Sequence, residues 1–399
     1  MKKFTAILLV LVLVMTAGFA KKAKADKNSN LALYSAGQKL SEAELLEKAK
    51  AETGDFIVYG NTSRIANAVK GFVDKYGKSI GLTNDNATGT KMNDADIYTT
   101  LLQEYMGSSA KVASVVMIQD GAQLQTYRQG TDILANYVPA NMKGVLSDAD
   151  KDPLVHQYIN KLFIWNNIGA KDQVIKNAWE LTEAKWKNKV FFKNPTTEQV
   201  NMNFLVMCTS DAWAKKLAEA YKDYYGKDVN LGSYKNAGYK WVAEFIANCN
   251  FSISSDTTIC KEMAKPDSEG CTGLFVLSKF RDVDAKIKGN LSVGAWQKEE
   301  IKPFAGFMYP MYVQLTKKSN RPYTAMLFAS YLMTADGFKP WGKDIGAYST
   351  DPSIPVNEKD GDQPITFWKN CLVAEDANFI KANKTSVQDF VNAAIAKKK

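Results

Sequence analysis

The sequence predicts an α/β protein whose parallel-rich sheets are covered by helices on both faces. Three observations carry this. Short apolar runs alternate with amphipathic stretches of helical period between residues 56 and 334. Polar turns rich in Asn, Thr, Ser, Asp and Gly separate most runs from the helix that follows. The chain has 399 residues, 46% hydrophobic, with 18 Tyr, 19 Phe and 8 Trp. That is enough apolar surface for two or three folding units, and it excludes disorder. With 25 Gly and 11 Pro, collagen and low-complexity chains are excluded too.

Taken in order, residues 26–40 are small and polar and read as a tether. Ser41, Glu42, Ala43 and Glu44 form a capping box ahead of Leu45, Leu46 and Ala49. Residues 56–59 read as a buried strand and 60–63 as a turn. Ile65, Ala68, Val69, Phe72, Val73 and Tyr76 then recur at helical spacing. The same unit repeats: a strand over 112–118 with Gln119, Asp120 and Gly121 turning into a helix near 124–128, and a strand over 161–165 ending in Asn166 and Asn167. A strand over 190–192 precedes Asn194, Pro195, Thr196 and Thr197, which read as the start of the next helix, with Asn194 or Thr196 as its cap. Further strands are expected over 274–277 and 311–315. A helix is expected over 324–334, and helices with a basic tail over 366–395.

The formal charge is +9, but residues 1–25 hold five lysines and no acids; the remainder carries 46 basic against 42 acidic residues. A nucleic-acid partner is therefore not expected. Lys2 and Lys3, the apolar run 4–20 and the small residues Ala23 and Ala25 read as a signal peptide over 1–25, cut before Asp26; cleavage after Ala20 is the alternative. No cysteine precedes Cys208, which argues against a lipoprotein and for a protein exported to a periplasm. Of the five cysteines, Cys260 and Cys271 flank a loop they could close.

In open α/β sheets, ligands lie beyond the carboxyl ends of strands, at helix N-termini. Asn61, Thr62, Ser63 and Arg64 there combine amide, hydroxyl and guanidinium groups suited to an oxyanion; an ordinary helix cap is the plainer reading. Asp120, at the next strand end, suits a cationic, hydroxyl or metal part, and Thr196 and Thr197 repeat the anion-receptive turn. Ser254, Ser255 and Asp256 do so a third time. His156, the only histidine, reads as a surface residue rather than a base. Tyr224 and Tyr225 are hard ligands in principle, yet they end an amphipathic helix and read as packing. Glu299 and Glu300 read as solvated surface.

Residues 177–190, with Trp179, Leu181, Trp186, Lys187, Lys189 and Val190, resemble a signature of bacterial extracellular solute-binding proteins. Residues 273–277, 305–310, 325–337 and 345–349 resemble later segments of that family in the same order. The resemblance is to the substrate-binding components of ABC importers, of the periplasmic ferric-iron-binding type. It implies a two-lobed periplasmic-binding-protein fold, each lobe a mixed sheet flanked by helices, joined by crossing strands. It places an N-terminal segment over 26–51, the first part of lobe 1 over 52–165, lobe 2 over 166–302, and the return to lobe 1 with the C-terminal helices over 303–399. It implies a monomer with no catalytic residue and no cofactor. The cargo would be ferric iron, an iron complex or another small molecule, held in an interlobe cleft and delivered to an inner-membrane permease. Asn166 at one crossing and Tyr309 beside the other join the candidate ligand set. The usual histidine after the first strand is replaced here by the Asn61–Arg64 turn, and the usual second-lobe tyrosine pair has no collinear match. Those departures favour an anionic cargo such as a sugar phosphate. Two rivals are a secreted hydrolase with paired carboxylates, which finds no GxSxG or HExxH here, and a surface antigen.

Overall fold

The structure is a computed structural model and describes residues 29–107, 111–129, 133–170, 174–294, 301–359 and 363–398. The signal-peptide reading and Glu299 and Glu300 lie outside the described residues.

The main elements in chain order are α1 (Leu31–Gly37), α2 (Glu42–Ala49), β1 (Phe56–Gly60), α3 (Arg64–Phe72), β2 (Ala87–Lys91), α4 (Asp94–Met106), β3 (Val115–Ile118), α5 (Gly121–Gln129), β4 (Leu134–Ala135) and β5 (Val155–Asn166). Then come β6 (Val190–Phe191), α6 (Gln199–Cys208), α7 (Asp211–Tyr225), α8 (Ala237–Asn248), β7 (Cys249–Asn250), α9 (Asp256–Met263), β8 (Thr272–Val276), β9 (Leu291–Val293) and β10 (Gly306–Thr316). The chain closes with α10 (Pro322–Leu332), β11 (Ala347–Ser349), α11 (Ile365–Cys371), β12 (Val373–Ala374) and α12 (Ala377–Lys397). The mixed α/β class read from the sequence holds. No described helix is long and apolar enough to cross a membrane.

Two compact units are built from interleaved segments. Unit 1 takes residues up to Ile118, Gln123–Leu154 and Val313–Leu332; unit 2 takes Gln119–Ala122, Val155–Tyr312 and Met333–Lys399. In unit 1, β1 pairs in parallel with β2 and β3, and the end of β10 pairs antiparallel with β4. The rings of Phe56, Phe72, Phe328 and Tyr331 interlock beneath α3 and α10. Each buries an aromatic face worth about 2–3 kcal/mol against exposure.

In unit 2, β5 is the central strand. It pairs antiparallel with the first part of β10 and with β8, β9 and β11. Parallel β6 extends the sheet from β8, and β7 from β6. The core is again aromatic: Phe204 of α6 meets Phe163, Trp241, Phe304 and Phe307. Helix α8 crosses the end of α6 so closely that a Cβ on Gly238 would lie 2.0 Å from the Cys208 carbonyl oxygen. Only glycine fits there.

Four local expectations are corrected. The tether reading fails over residues 29–40: α1 docks, Tyr34 is buried, and its hydroxyl donates to the Thr316 carbonyl at 2.7 Å. His156 is buried on β5 against Phe338 and Trp341, because that strand starts six residues earlier than its apolar run suggested. The helix after β6 begins at Gln199, not at Asn194, whose side chain instead closes a local turn by accepting from the Thr196 amide. All five cysteines are thiols, so the Cys260–Cys271 bridge does not form. The capping box at Ser41 and Glu44 is present as expected.

Candidate functional site

The carboxyl ends of β6 and β8 and the start of α9 bring a charged cluster together in unit 2. Lys161 projects from mid-β5 with 1% of its side chain exposed. Its Nζ donates to Asn201 Oδ1 on α6 at 2.5 Å and lies 3.6 Å from Asp256 Oδ1. Lys193, two residues past β6, lies 3.5 Å from the same Asp256 oxygen and also pairs with Glu198. Asp256 is the first residue of α9, whose N-cap Ser255 accepts from the Thr258 amide. Here the helix dipole favours a negative charge. Lys279, just beyond β8, completes the group electrostatically.

The titration behaviour follows from this packing. Burial would raise the Asp256 carboxyl, but Lys161, Lys193 and Lys279 outweigh it and hold the carboxyl below its usual range. Burial lowers Lys161 and Lys279, each partly offset by Asp256. For Lys193, Asp256 and Glu198 outweigh burial and raise it. Lys279 also faces Asp282 and Asp344, with Arg281 beside it, so four basic groups meet four carboxylates.

Asp256 lies inside the cluster just described. Asp120 is buried in a second polar group, where Lys384 Nζ donates to its Oδ2 at 3.2 Å. Tyr309 is buried on β10 and stacks on Phe307.

Asn166 is buried, and its amide nitrogen donates to the carbonyls of Met263 and Lys265, both at 2.8 Å. It also lines a hollow of about 190 Å³ with Trp165, Trp186 and Cys271. Thr196 and Thr197 are exposed, and both hydroxyls donate back to Asn194.

In unit 1, the β1–α3 turn is tied down locally. The Arg64 amide donates to Thr62 Oγ1 at 3.2 Å and the Ile65 amide to the Thr62 carbonyl at 3.2 Å. Ser63 occupies the cap position but its side chain makes no cap bond. Asn61 donates to Asp94 Oδ1 at 2.9 Å. The first two amides of α3 are therefore already used.

Sequence reasoning missed Lys161, Lys193, Glu198, Asn201 and Lys279. One signal was available: Lys161 directly precedes the apolar run 162–165, and a charge in a central strand needs a partner.

Among the described residues, no three His, Cys, Asp or Glu side chains converge as a metal site. Tyr224 and Tyr225 both donate to Glu183 Oε1, at 3.1 and 3.2 Å. Burial and the neighbouring Glu180 and Glu183 push the Tyr224 phenol up to about 12, and burial and Glu183 raise Tyr225 as well. That is opposite to the direction a tyrosinate ligand needs.

No family model matches the sequence, and no curated protein does. Solved structures do. An iron- and citrate-bound IdiA (FutA) from Trichodesmium is 12% identical, with a TM-score of 0.61 over 86% of this chain and 99% of its own. Iron-bound HitA from Pseudomonas aeruginosa is 13% identical, with a TM-score of 0.58 over 86% and 99%. The periplasmic binding protein AfuA from Actinobacillus pleuropneumoniae, with fructose-6-phosphate bound, is 15% identical, with a TM-score of 0.58 over 86% and 98%. At these identities the likeness is one of fold: the chain is built on the fold of periplasmic solute-binding proteins.

Proposed function

We propose that the chain is the extracytoplasmic substrate-binding component of an ABC importer, and that its cargo carries a small anionic group. The observation that carries this is the group of buried Lys161 and part-buried Lys193 and Lys279 around Asp256, on the strand ends and helix starts where open α/β sheets hold ligands. The fold likeness supports the transport role. In this reading the protein performs no chemistry and needs no cofactor. It works as a monomer in a periplasm, and its partner is a membrane permease.

The donor set argues against a bare ferric ion. Ferric iron takes hard anionic oxygen ligands, whereas the carboxylate of Asp256 is already shared by Lys161 and Lys193. Iron reaching the protein as a complex with an organic anion stays compatible, because the anion would meet the lysines. Asp256 belongs to the proposed anion site. Thr62, Ser63 and Arg64 of unit 1 remain candidates for an anionic group on their own account, and Asp120 for a hydroxyl-bearing part. Asn61, Asn166, Thr196 and Thr197 serve local structure first, and Tyr309 contributes packing.

The test is thermal unfolding of the mature chain with inorganic phosphate, glucose 6-phosphate, citrate and ferric citrate. A ligand at a hundred times its Kd adds about 2.7 kcal/mol and raises Tm. The expected outcome is a rise with at least one anion, abolished by Lys193→Ala. A panel that leaves Tm unmoved would falsify the reading.

A further inference from the structure

The 3-10 turn Leu277–Asp282 follows β8 in unit 2 and borders two places of different charge. Its Lys279 faces Asp256, Asp282 and Asp344, in the group where basic and acidic side chains balance. Its Phe280 and Arg281 line a hollow of about 370 Å³.

Three lysines reach that hollow from separate segments: Lys288 ahead of β9, Lys343 ahead of β11 and Lys359 beyond β11. Among the described residues no acidic side chain lines it. Arg281 is answered from behind, with Nη1 2.6 Å from Asp344 Oδ1 and Nε 3.8 Å from Asp282 Oδ1. Lys288, Lys343 and Lys359 make no ion pair among the described residues. Three positive charges are therefore unanswered around one concave volume. Lys343 and Lys359 are exposed and Lys288 is half-buried, so all three side chains can be met from solvent.

The rest of the lining is apolar. Phe280 and Leu291 are only 6% and 8% exposed and contribute to the wall. A hollow of one charge sign with low-dielectric walls focuses its field and concentrates ions of the opposite sign. Its volume falls in the range of about 300–1,000 Å³ typical of small-molecule sites. An anion of single charge would leave two of the lysines unanswered. A bare inorganic ion would leave the apolar wall in water, whereas a carbon skeleton would cover it.

We propose that this hollow is a second binding site, for a small organic molecule that carries two or more negative groups on a short apolar skeleton. The inference does not rest on the anion reading above, because the lysines that carry it are not those around Asp256.

The experiment is calorimetric titration of the mature chain with tricarballylate, methylenediphosphonate and butyrate, at a salt concentration of about 0.15 M so that distant exposed charges are screened. Wild type is compared with Lys193→Ala and with a double variant, Lys288→Ala together with Lys343→Ala. The proposal expects one equivalent of a polyanion to bind at least tenfold more tightly than butyrate. The double variant should weaken that binding tenfold or more, and Lys193→Ala should leave it within twofold. The tighter of the two polyanions identifies the anionic group as carboxylate or phosphonate. No binding of either polyanion, an affinity equal to that of butyrate, or binding that survives the double variant overturns the proposal. Binding lost in Lys193→Ala but kept in the double variant places the polyanion at the Asp256 group and overturns it too.

Discussion

The β1–α3 turn of unit 1 and the β6–α6 and α9 starts of unit 2 obey the same strand–turn–helix grammar but differ in what lies behind them. Behind Asn61–Arg64 the turn satisfies itself: Thr62 caps the first amides and Asp94 takes Asn61. Behind Asp256 lies Lys161, a fully buried cation from the central strand. A polar turn in the sequence is therefore weak evidence for a site. A buried charge beneath it is stronger, because burial of an ion is tolerated only when partners or a ligand compensate it.

The sharpest way to break this contrast is Asp256→Ala. It leaves Lys161 and Lys193 without their shared carboxylate and is expected to cost about 3–5 kcal/mol in urea unfolding. Lys161→Met, which retains the Lys193–Asp256 pair, is expected to cost less. The reverse order would show that the cluster is not organised around Asp256.

A second effect distinguishes the carboxylate group of unit 2. Burial, then Asp120, pushes the Glu375 carboxyl up to about 8 from an ordinary 4.5, against the bonds from Asn203 and Gly121 and the charge of Lys384. Between those values the native chain holds a proton that the unfolded chain has lost. Stability should thus fall as pH rises from about 4.5 to about 8, then level off, by a few kcal/mol in total. Glu375→Gln should flatten the profile over that window. Equal slopes in wild type and variant would remove Glu375 as the cause.

A smaller effect is expected in unit 1 from Tyr34→Phe, which strips the donor from the buried Thr316 carbonyl and should cost about 1–2 kcal/mol. The smallest is Arg64→Ala at the self-satisfied turn, with a stability change below about 0.5 kcal/mol. It tests function rather than folding: an unchanged affinity for the anion that raises Tm would remove Arg64 from the candidate set.

Much of the fold was legible along the chain because helical period and apolar runs are local signals. The α3 stripe from Ile65 to Phe72 and the capping box at Ser41 were both readable, and both are present. Strand β5 was only half legible. His156, Gln157, Asn160 and Lys161 break its apolar pattern, yet all are buried, because neighbouring strands and covering helices enclose the strand on both faces. Asp256 was visible in a turn at a helix start, and Asp120 as an acid at a strand end. Glu375 and Asn203 were not, since nothing local sets them apart from surface residues.

The order of strands, turns and helices, the aromatic content of the cores and the export-like N-terminus are properties of the sequence alone, since each rests on neighbours within a few residues. The meeting of Lys161, Lys193, Asp256 and Lys279 belongs to the tertiary structure. The pairing of β8 with both β5 and β6 draws together charges more than a hundred residues apart, and their energies exist only at that distance and in that buried setting.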